Sequence, residues 1–156
     1  MSWNVLADAY AFGQRHHCPS RDLRFEFRLK QAIDILKRAA ADLVFLQEVD
    51  RVEEWTTALR ERLGYETAVA RRDRGGQEQE DETPPPDSCV TAWRNMSLVS
   101  EERVDYDDDV RDTDRLSKRF RRHNVALVCV LSREGRRFVA SNTHVHWDPR
   151  RADVKL

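Results

Sequence analysis

Residues 41–49, Ala-Asp-Leu-Val-Phe-Leu-Gln-Glu-Val, contain the strand around which the predicted fold is built. The uninterrupted apolar run from Leu43 to Leu46 is typical of a strand that is covered on both sides. Glu48 follows this run, so we expect it at the carboxyl end of a buried strand, where open α/β sheets bind ligands. A carboxylate in that position suits Mg²⁺, which prefers oxygen ligands and leaves room for a substrate phosphate. The alternative is a solvated glutamate at the start of the following helix.

Two helical patterns flank this strand and set the fold class. A helix is predicted from about Leu23 to Ala41, because Leu29, Ile33, Leu36 and Ala40 follow one another at helical spacing. A second helix is indicated by Val52, Trp55, Leu59 and Leu63, with Gly64 just beyond its end. The short apolar segment Trp3 to Leu6 is interpreted as the end of an earlier strand. The alternation of strands and helices predicts an α/β layered fold.

The remainder of the chain predicts further strands separated by two polar segments. The strands are expected over 65–70, 89–93, 96–99, 124–131 and 137–142. The segment 71–87 contains a Pro triplet and many charges, which predicts a solvated loop insert. The segment 101–122 is acidic in its first part and basic in its last, which predicts a solvated charged loop. A protein-docking role for these charged loops is the alternative.

Composition limits the function classes. The 156 residues allow one domain, and 27 Lys and Arg against 28 Asp and Glu exclude simple polycation binding to nucleic acid. A mean hydropathy of −0.76 and the lack of a long apolar run predict no membrane association. The chain opens without a signal-peptide pattern. Three widely spaced cysteines favour a reducing compartment, so an intracellular, cytoplasmic location is expected.

Two further segments contain residues that could bind phosphate or metal. Asn4 ends the first apolar stretch, where its amide could position a phosphate or a cation, although an Asx turn explains it equally well. His144 and His146 alternate at a strand exit, where a histidine could stabilise developing charge on a phosphoryl oxygen. An H-x-H pair could instead bind zinc, but a third ligand with suitable spacing is not evident. A partly buried structural histidine is the remaining alternative.

Common nucleotide and hydrolase motifs are absent from the sequence. It contains no G-x-x-x-x-G-K-[ST], no G-x-G-x-x-G and no G-x-S-x-G. ATP-loop, dinucleotide-binding and α/β-hydrolase functions therefore have no support.

The order and context of these residues resemble the endonuclease/exonuclease/phosphatase superfamily, in particular its deadenylase, nocturnin and Angel-like branch. Residues 2–7 (SWNVLA) are similar to the first strand of that family, and 41–49 to its metal-binding LQEV strand. Residues 17–28, with Cys-Pro and an aromatic-x-x-Arg step, resemble the lead into the first helix of the branch. Residues 140–156 resemble its NTH…P…DVKL segment, and 87–90 echo a DGCA step with Ser88 in place of Gly.

The resemblance implies a four-layer α/β sandwich and Mg²⁺-dependent hydrolysis of phosphoesters, with Mn²⁺ as a possible substitute. It assigns Glu48 to the metal, Asn4 to the metal or phosphate, and His144 to the scissile phosphate. It places Pro149 against a substrate base, and we also expect Asn142 to contact substrate. The implied substrate is a poly(A)-like RNA 3′ end or a nucleotide phosphate.

The resemblance also implies that the site is incomplete. In the family, a G-D-x-N motif, a further acid and a terminal Asp-His pair follow the DVKL segment, and none of them occurs in 1–156. We therefore expect 1–156 to be the N-terminal part of one longer domain, catalytically inactive alone and poorly soluble. The alternative is a non-catalytic, degenerate family member that binds a protein partner. Within the enzyme class, nocturnin-like dinucleotide phosphatase and 2′,5′-phosphodiesterase activities remain open.

Overall fold

The computed structural model describes residues 1–11, 19–72, 87–109, 122–145 and 150. Its strands are β1 (Ser2–Asn4), β2 (Leu43–Val49), β3 (Glu66–Arg71), β4 (Ser88–Trp93), β5 (Ser97–Asp105), β6 (Val125–Arg133) and β7 (Arg136–Thr143). Its α-helices are α1 (Asp8–Ala11), α2 (Phe25–Ala39) and α3 (Val52–Leu63), and two 3₁₀ helices span Ser20–Leu23 and Tyr106–Asp109. No helix in the described ranges has the length and apolarity needed to cross a bilayer.

The strands form two sheets. The first has the order β1-β2-β4-β3, in which β1 runs parallel to β2 and the other neighbours are antiparallel. The second has the antiparallel order β5-β6-β7. Because β1 and β2 are parallel neighbours, with Asn4 opposite Gln47, their carboxyl ends lie side by side. This pairing brings the first predicted site residue next to the second.

Two apolar clusters define the layers. One lies between the first sheet and the helices α2 and α3, with Ile33, Leu36, Leu46, Trp55 and Leu59 among its buried members. The other lies between the two sheets and contains Ala70, Trp93, Leu127, Cys129 and Leu131. The described residues thus form helix, sheet and sheet layers, which confirms the predicted α/β class. No described helix residue belongs to the inter-sheet cluster. Val139 on β7 of the second sheet is 67% exposed.

The first long helix is shorter than the periodicity predicted. It begins at Phe25 rather than Leu23, because Ser20–Leu23 form a 3₁₀ turn. It ends at Ala39, because Ala40 takes a left-handed conformation with φ of 49°. The prediction that Gly64 lies just beyond α3 is confirmed, since its φ is 71° and its amide bonds back to Arg60 and Leu59.

The structure describes parts of both charged segments and corrects the predicted loop at 101–105. Residues 101–105 belong to β5 and pair with β6, so the expected loop over 101–122 is wrong there. An edge strand tolerates these charges because their side chains remain exposed to water. The next four residues form a 3₁₀ helix, and 110–121 lie outside the described residues. In the 71–87 insert, Arg71 ends β3 and Arg72 pairs with Asp87 at 3.2 Å, while 73–86 lie outside the description.

Cys89 and Cys129 are buried and not disulfide-bonded, which agrees with a packing role. Burial raises the pKa of the Cys89 thiol to about 12, with a further contribution from the nearby Asp87 carboxylate. Burial and the charge of Glu101 raise the pKa of Cys129 to about 11. Both thiols are therefore neutral at physiological pH.

Native-state alkylation tests this assignment. Because the thiolate is the reactive species, both cysteines should react with iodoacetamide at pH 8 at least ~100-fold more slowly in the folded chain than in urea. Peptide-resolved mass spectrometry measures each site separately, so labelling at Cys18 does not interfere. Rapid native labelling of Cys89 or Cys129 would contradict the packing role.

Candidate metal and phosphate site

Asn4, Glu48 and His144 meet at one end of the sheet pair. Asn4 ends β1, Glu48 lies next to the end of the adjacent strand β2, and His144 directly follows β7 of the second sheet. The Asn4 Nδ2 donates to Glu48 Oε1 at 2.7 Å, and His144 Nε2 lies 3.2 Å from the same oxygen. Three residues separated by up to 140 positions in the sequence are thus in hydrogen-bonding contact around one carboxylate.

A β-bulge places Glu48 in this position. Between the pairs Leu46–Val90 and Val49–Ser88, strand β2 contains one residue more than β4, and Glu48 takes a left-handed φ of 58°. Strict alternation after Leu46 would direct residue 48 into the helix-side core. The bulge gives that core position to Val49, which is fully buried there. Bulges often re-aim side chains at functional sites, and non-glycine residues with positive φ store local strain there.

The Glu48 carboxylate is well satisfied by donors. Its side chain is 14% exposed, and besides Asn4 and His144 it accepts a hydrogen bond from the Ala7 amide at 3.2 Å through Oε2. Burial by itself would raise the pKa of Glu48, but hydrogen bonds from His144, Asn4 and the Ala7 amide outweigh it and lower the pKa below its usual value. Glu48 is therefore ionised at neutral pH, as a metal ligand must be.

Asn4 forms an Asx turn and also contacts Glu48. Its Oδ1 accepts from the Leu6 amide at 2.9 Å, which is the local turn that was considered as the alternative. This turn fixes the side chain so that Nδ2 faces Glu48. The amide therefore uses its oxygen inside the loop and its nitrogen on the carboxylate, an arrangement better suited to orienting Glu48 than to ligating a cation directly.

His144 retains access to solvent, since its side chain is 31% exposed. Its exposed part can therefore contact a ligand. The second histidine of the H-x-H pair, His146, lies outside the described residues. Within the described ranges, no cluster of three or more His, Cys, Asp or Glu side chains could hold a metal ion by itself. The described residues therefore give no support to the zinc alternative.

Asn142 is buried, and its predicted contact with substrate stays a prediction. Its side chain is 2% exposed and its Oδ1 accepts from Gln47 Nε2 at 2.8 Å. Its Nδ2 donates to the carbonyls of Leu46 and Val90 at 3.1 and 3.0 Å. Asn142 thus joins the second sheet to the first directly beneath the bulge. Pro149, predicted to contact a base, lies outside the described residues.

Two features that support the site were not predicted from the sequence. The Gln47–Asn142 pair had one visible signal, a polar residue within an otherwise buried strand. The contacts of the loop after β1 had no visible signal in the sequence. In this loop Asp8 binds Arg28 at 3.0 Å and Arg51 at 2.9 Å, and the Asp8 amide donates to Asp50. This loop carries the Ala7 amide that reaches Glu48.

The donor set fits a hard divalent cation only in part. Glu48 supplies an ionised carboxylate whose oxygens point toward a partly exposed edge, and Mg²⁺ is commonly held by one or two protein carboxylates plus water and phosphate. The described residues supply one such carboxylate in contact with Asn4 and His144. A complete site needs additional ligands from substrate, water or further protein residues.

Curated proteins match the sequence of this chain over its whole length. The "CCR4-Not complex 3'-5'-exoribonuclease subunit Ccr4" of Aspergillus oryzae is 31% identical over 172 residues, which cover 100% of this chain and 23% of that protein. The "CCR4-NOT transcription complex subunit 6-like-A" of Xenopus laevis is 29% identical and is covered to 33%. The chain therefore spans a quarter to a third of the length of these two relatives.

Solved structures show the same fold. The crystal structure of ANGEL2, a 2',3'-cyclic phosphatase, matches with a TM-score of 0.77 and 28% identity, over 99% of this chain and 42% of that one. The human Nocturnin catalytic domain matches with a TM-score of 0.69 and 22% identity, over 94% and 49%, and supports the fold alone. A model of the Endonuclease/Exonuclease/phosphatase family matches residues 1–155. The chain belongs to the endonuclease/exonuclease/phosphatase family.

Proposed function

We propose that this chain forms part of a Mg²⁺-dependent phosphoesterase that acts on the 3′ end of RNA in the manner of a deadenylase. The observation that carries the proposal is the contact of Asn4 and His144 with one ionised carboxylate, Glu48, at a shared sheet edge. The similarity to a protein named as a 3'-5'-exoribonuclease supports the choice of RNA as substrate. The free, buried Cys89 and Cys129 are consistent with an intracellular, cytoplasmic site of action.

Each residue has a distinct role in this proposal. Glu48 would hold the Mg²⁺, or Mn²⁺ in its place, and Asn4 would keep the carboxylate oriented and lie next to the phosphate. His144, whose side chain is partly open to solvent, would contact the scissile phosphate and its developing negative charge. When bound, the metal supplies charge stabilisation and substrate orientation, which are the main needs of phosphoryl transfer. Pro149 would lie against a substrate base.

The proposal also treats residues 1–156 as one part of a larger site. The described part of the site consists of the Glu48 carboxylate with Asn4 and His144. Hydrolysis also needs a group that activates the attacking water, and this proposal gives that role to none of the three. We infer that the remaining groups come from a longer domain, of which this chain is the N-terminal part. Residues 1–156 alone should then bind the cation without turnover.

A hydrolysis assay tests this function. A 5′-labelled oligo(A) RNA, adenosine 2′,3′-cyclic phosphate and a dinucleotide phosphate are incubated separately with chain 1–156 in Mg²⁺ and in EDTA. We expect no product above the EDTA control from any substrate. The full polypeptide encoded by the same reading frame should shorten the oligo(A) only with Mg²⁺.

The outcomes of this assay separate the alternatives. Release of phosphate from the dinucleotide, or opening of the cyclic phosphate, would favour a small-nucleotide phosphatase over the deadenylase proposal. Mg²⁺-dependent turnover by 1–156 that Glu48→Ala removes would contradict incompleteness. A reading frame without G-D-x-N and a terminal Asp-His pair would favour the non-catalytic interaction module.

A further inference from the structure

We propose that Arg28 is a positioning residue for the Glu48 carboxylate. It would act by holding the loop formed by residues 5–8 in the conformation that directs the Ala7 amide and the Asn4 side chain toward Glu48. This inference rests on the proposed function, because it concerns the same site. Arg28 lies on the first turn of α2, and its side chain touches the loop and not the carboxylate itself.

The guanidinium of Arg28 is committed almost entirely to this loop. Its Nη1 donates to the carbonyls of Val5, at 3.1 Å, and Leu6. Its Nη2 binds Asp8 Oδ1 at 3.0 Å, while Nε donates to the carbonyl of Leu23 at 3.1 Å and so fixes the fork relative to α2. The side chain is 17% exposed, so water competes little for these groups.

The backbone amides of residues 5–8 all donate hydrogen bonds to Asn4 or to the segment 47–50. Val5 donates to the Gln47 carbonyl at 3.0 Å, Leu6 to Asn4 Oδ1, Ala7 to Glu48 Oε2 and Asp8 to Asp50 Oδ2. The donors therefore face β2 and the Asn4 side chain, while the acceptors of Val5 and Leu6 face Arg28. Arg28 thus donates to the loop carbonyls that take no part in the contacts to Glu48.

The backbone of Leu6 shows why such a clamp is needed. Its φ of 60° is left-handed, which an L-residue with a branched side chain adopts only at a cost. The Asx turn of Asn4 holds the amide of Leu6, and Arg28 holds its carbonyl. Without the second contact, Leu6 is expected to relax toward negative φ, which would rotate the Ala7 amide away from Glu48.

Geometry rather than charge is the basis of this role. The charge of Arg28 is balanced by Asp8, which also pairs with Arg51. Arg51 is 42% exposed and binds the loop through the Asp8 side chain. Lysine at position 28 would retain the charge but could not bridge two carbonyls and a carboxylate with a planar fork.

The test compares Arg28→Lys with Arg133→Lys in the full polypeptide encoded by the same reading frame. Arg133 binds Asp42 at 2.8 Å, a similar Arg–Asp pair at the opposite end of β2. Mn²⁺ alone is the probe: its affinity is measured from paramagnetic broadening of the Val49 amide signal, and hydrogen exchange is followed at the Ala7 amide. Supporting groups around a metal ligand typically contribute about 10- to 100-fold to affinity.

We expect Arg28→Lys to weaken Mn²⁺ binding by about 10-fold and to speed exchange at Ala7 by at least ~10-fold. Exchange at Ile33 in α2 should remain unchanged, and Arg133→Lys should alter neither the affinity nor the Ala7 exchange by more than about 2-fold. A folded Arg28→Lys chain with unchanged Mn²⁺ affinity and unchanged Ala7 exchange would overturn the proposal.

A second variant covers the case in which Arg28→Lys does not fold. Asp8→Asn retains the size of the side chain but replaces the charged acceptor of the Arg28 fork with a weaker neutral one, so both quantities should change in the same direction by about 3-fold. No change in either quantity in folded Asp8→Asn would overturn the role of Arg28. If Glu48→Gln leaves Mn²⁺ binding intact, the proposed metal site fails instead, and Ala7 exchange still decides whether Arg28 holds the loop.

Discussion

Replacing Glu48 with glutamine should remove saturable divalent-cation binding from chain 1–156, because it removes the ionised carboxylate that holds the cation. The substitution removes the charge but leaves an amide of similar size next to Asn4, Ala7 and His144. Electron paramagnetic resonance of free Mn²⁺ measures the affinity, and Mg²⁺ competition establishes that both cations use one site.

The matched control for this experiment is Glu53→Gln. Glu53 lies on the neighbouring helix α3, and its exposed carboxylate pairs with Arg71. This variant should bind Mn²⁺ as the parent chain does, because an exposed glutamate with a single partner is not preorganised for a cation. Equal losses in both variants would mean that Mn²⁺ responds to the overall charge of the chain and that Glu48 has no special role.

Replacing Asn142 with leucine should lower the free energy of unfolding by about 3 kcal/mol. Leucine has a similar volume but cannot donate to the carbonyls of Leu46 and Val90 or accept from Gln47. Each buried polar group left without a partner costs about 1–3 kcal/mol. Urea denaturation measures the change in the 156-residue chain.

Ser141→Ala is the control for Asn142→Leu. Ser141 precedes Asn142 on β7 and its side chain lies on the exposed face, so its loss should change stability by less than about 0.5 kcal/mol. If Asn142→Leu also fell within that range, the amide would not be the link between the sheets. Its predicted contact with substrate would then become the better interpretation.

The sequence predicted the fold class from local signals, whereas the three residues at the site were predicted from the order and context of family motifs. The apolar run Leu43 to Leu46 indicated a buried strand, and the helical spacing on either side indicated α2 and α3. The parallel pairing of β1 with β2 then made the proximity of Asn4 and Glu48 a consequence of topology. Their catalytic roles and the metal remain predictions.

The details that position the site could not be predicted, because they depend on contacts between distant segments. A glutamate gives no local sign of a left-handed bulge, and the bulge appears only when β4 pairs with β2. Asn142 lies next to His144 in a family motif, yet its partners are on β2 and β4. The acids at 101–105 suggested a loop, while pairing with β6 makes them an edge strand.

The location of bound Mn²⁺ tests whether Glu48 holds the cation. Paramagnetic broadening is mapped over the amide signals of chain 1–156 during a Mn²⁺ titration and is then reversed with excess Mg²⁺. We predict that broadening centres on Ala7, Val49 and His144, saturates, and is absent in Glu48→Gln. Broadening centred on the acidic residues of β5 and the following 3₁₀ helix, with Val49 unaffected, would contradict a metal site at Glu48.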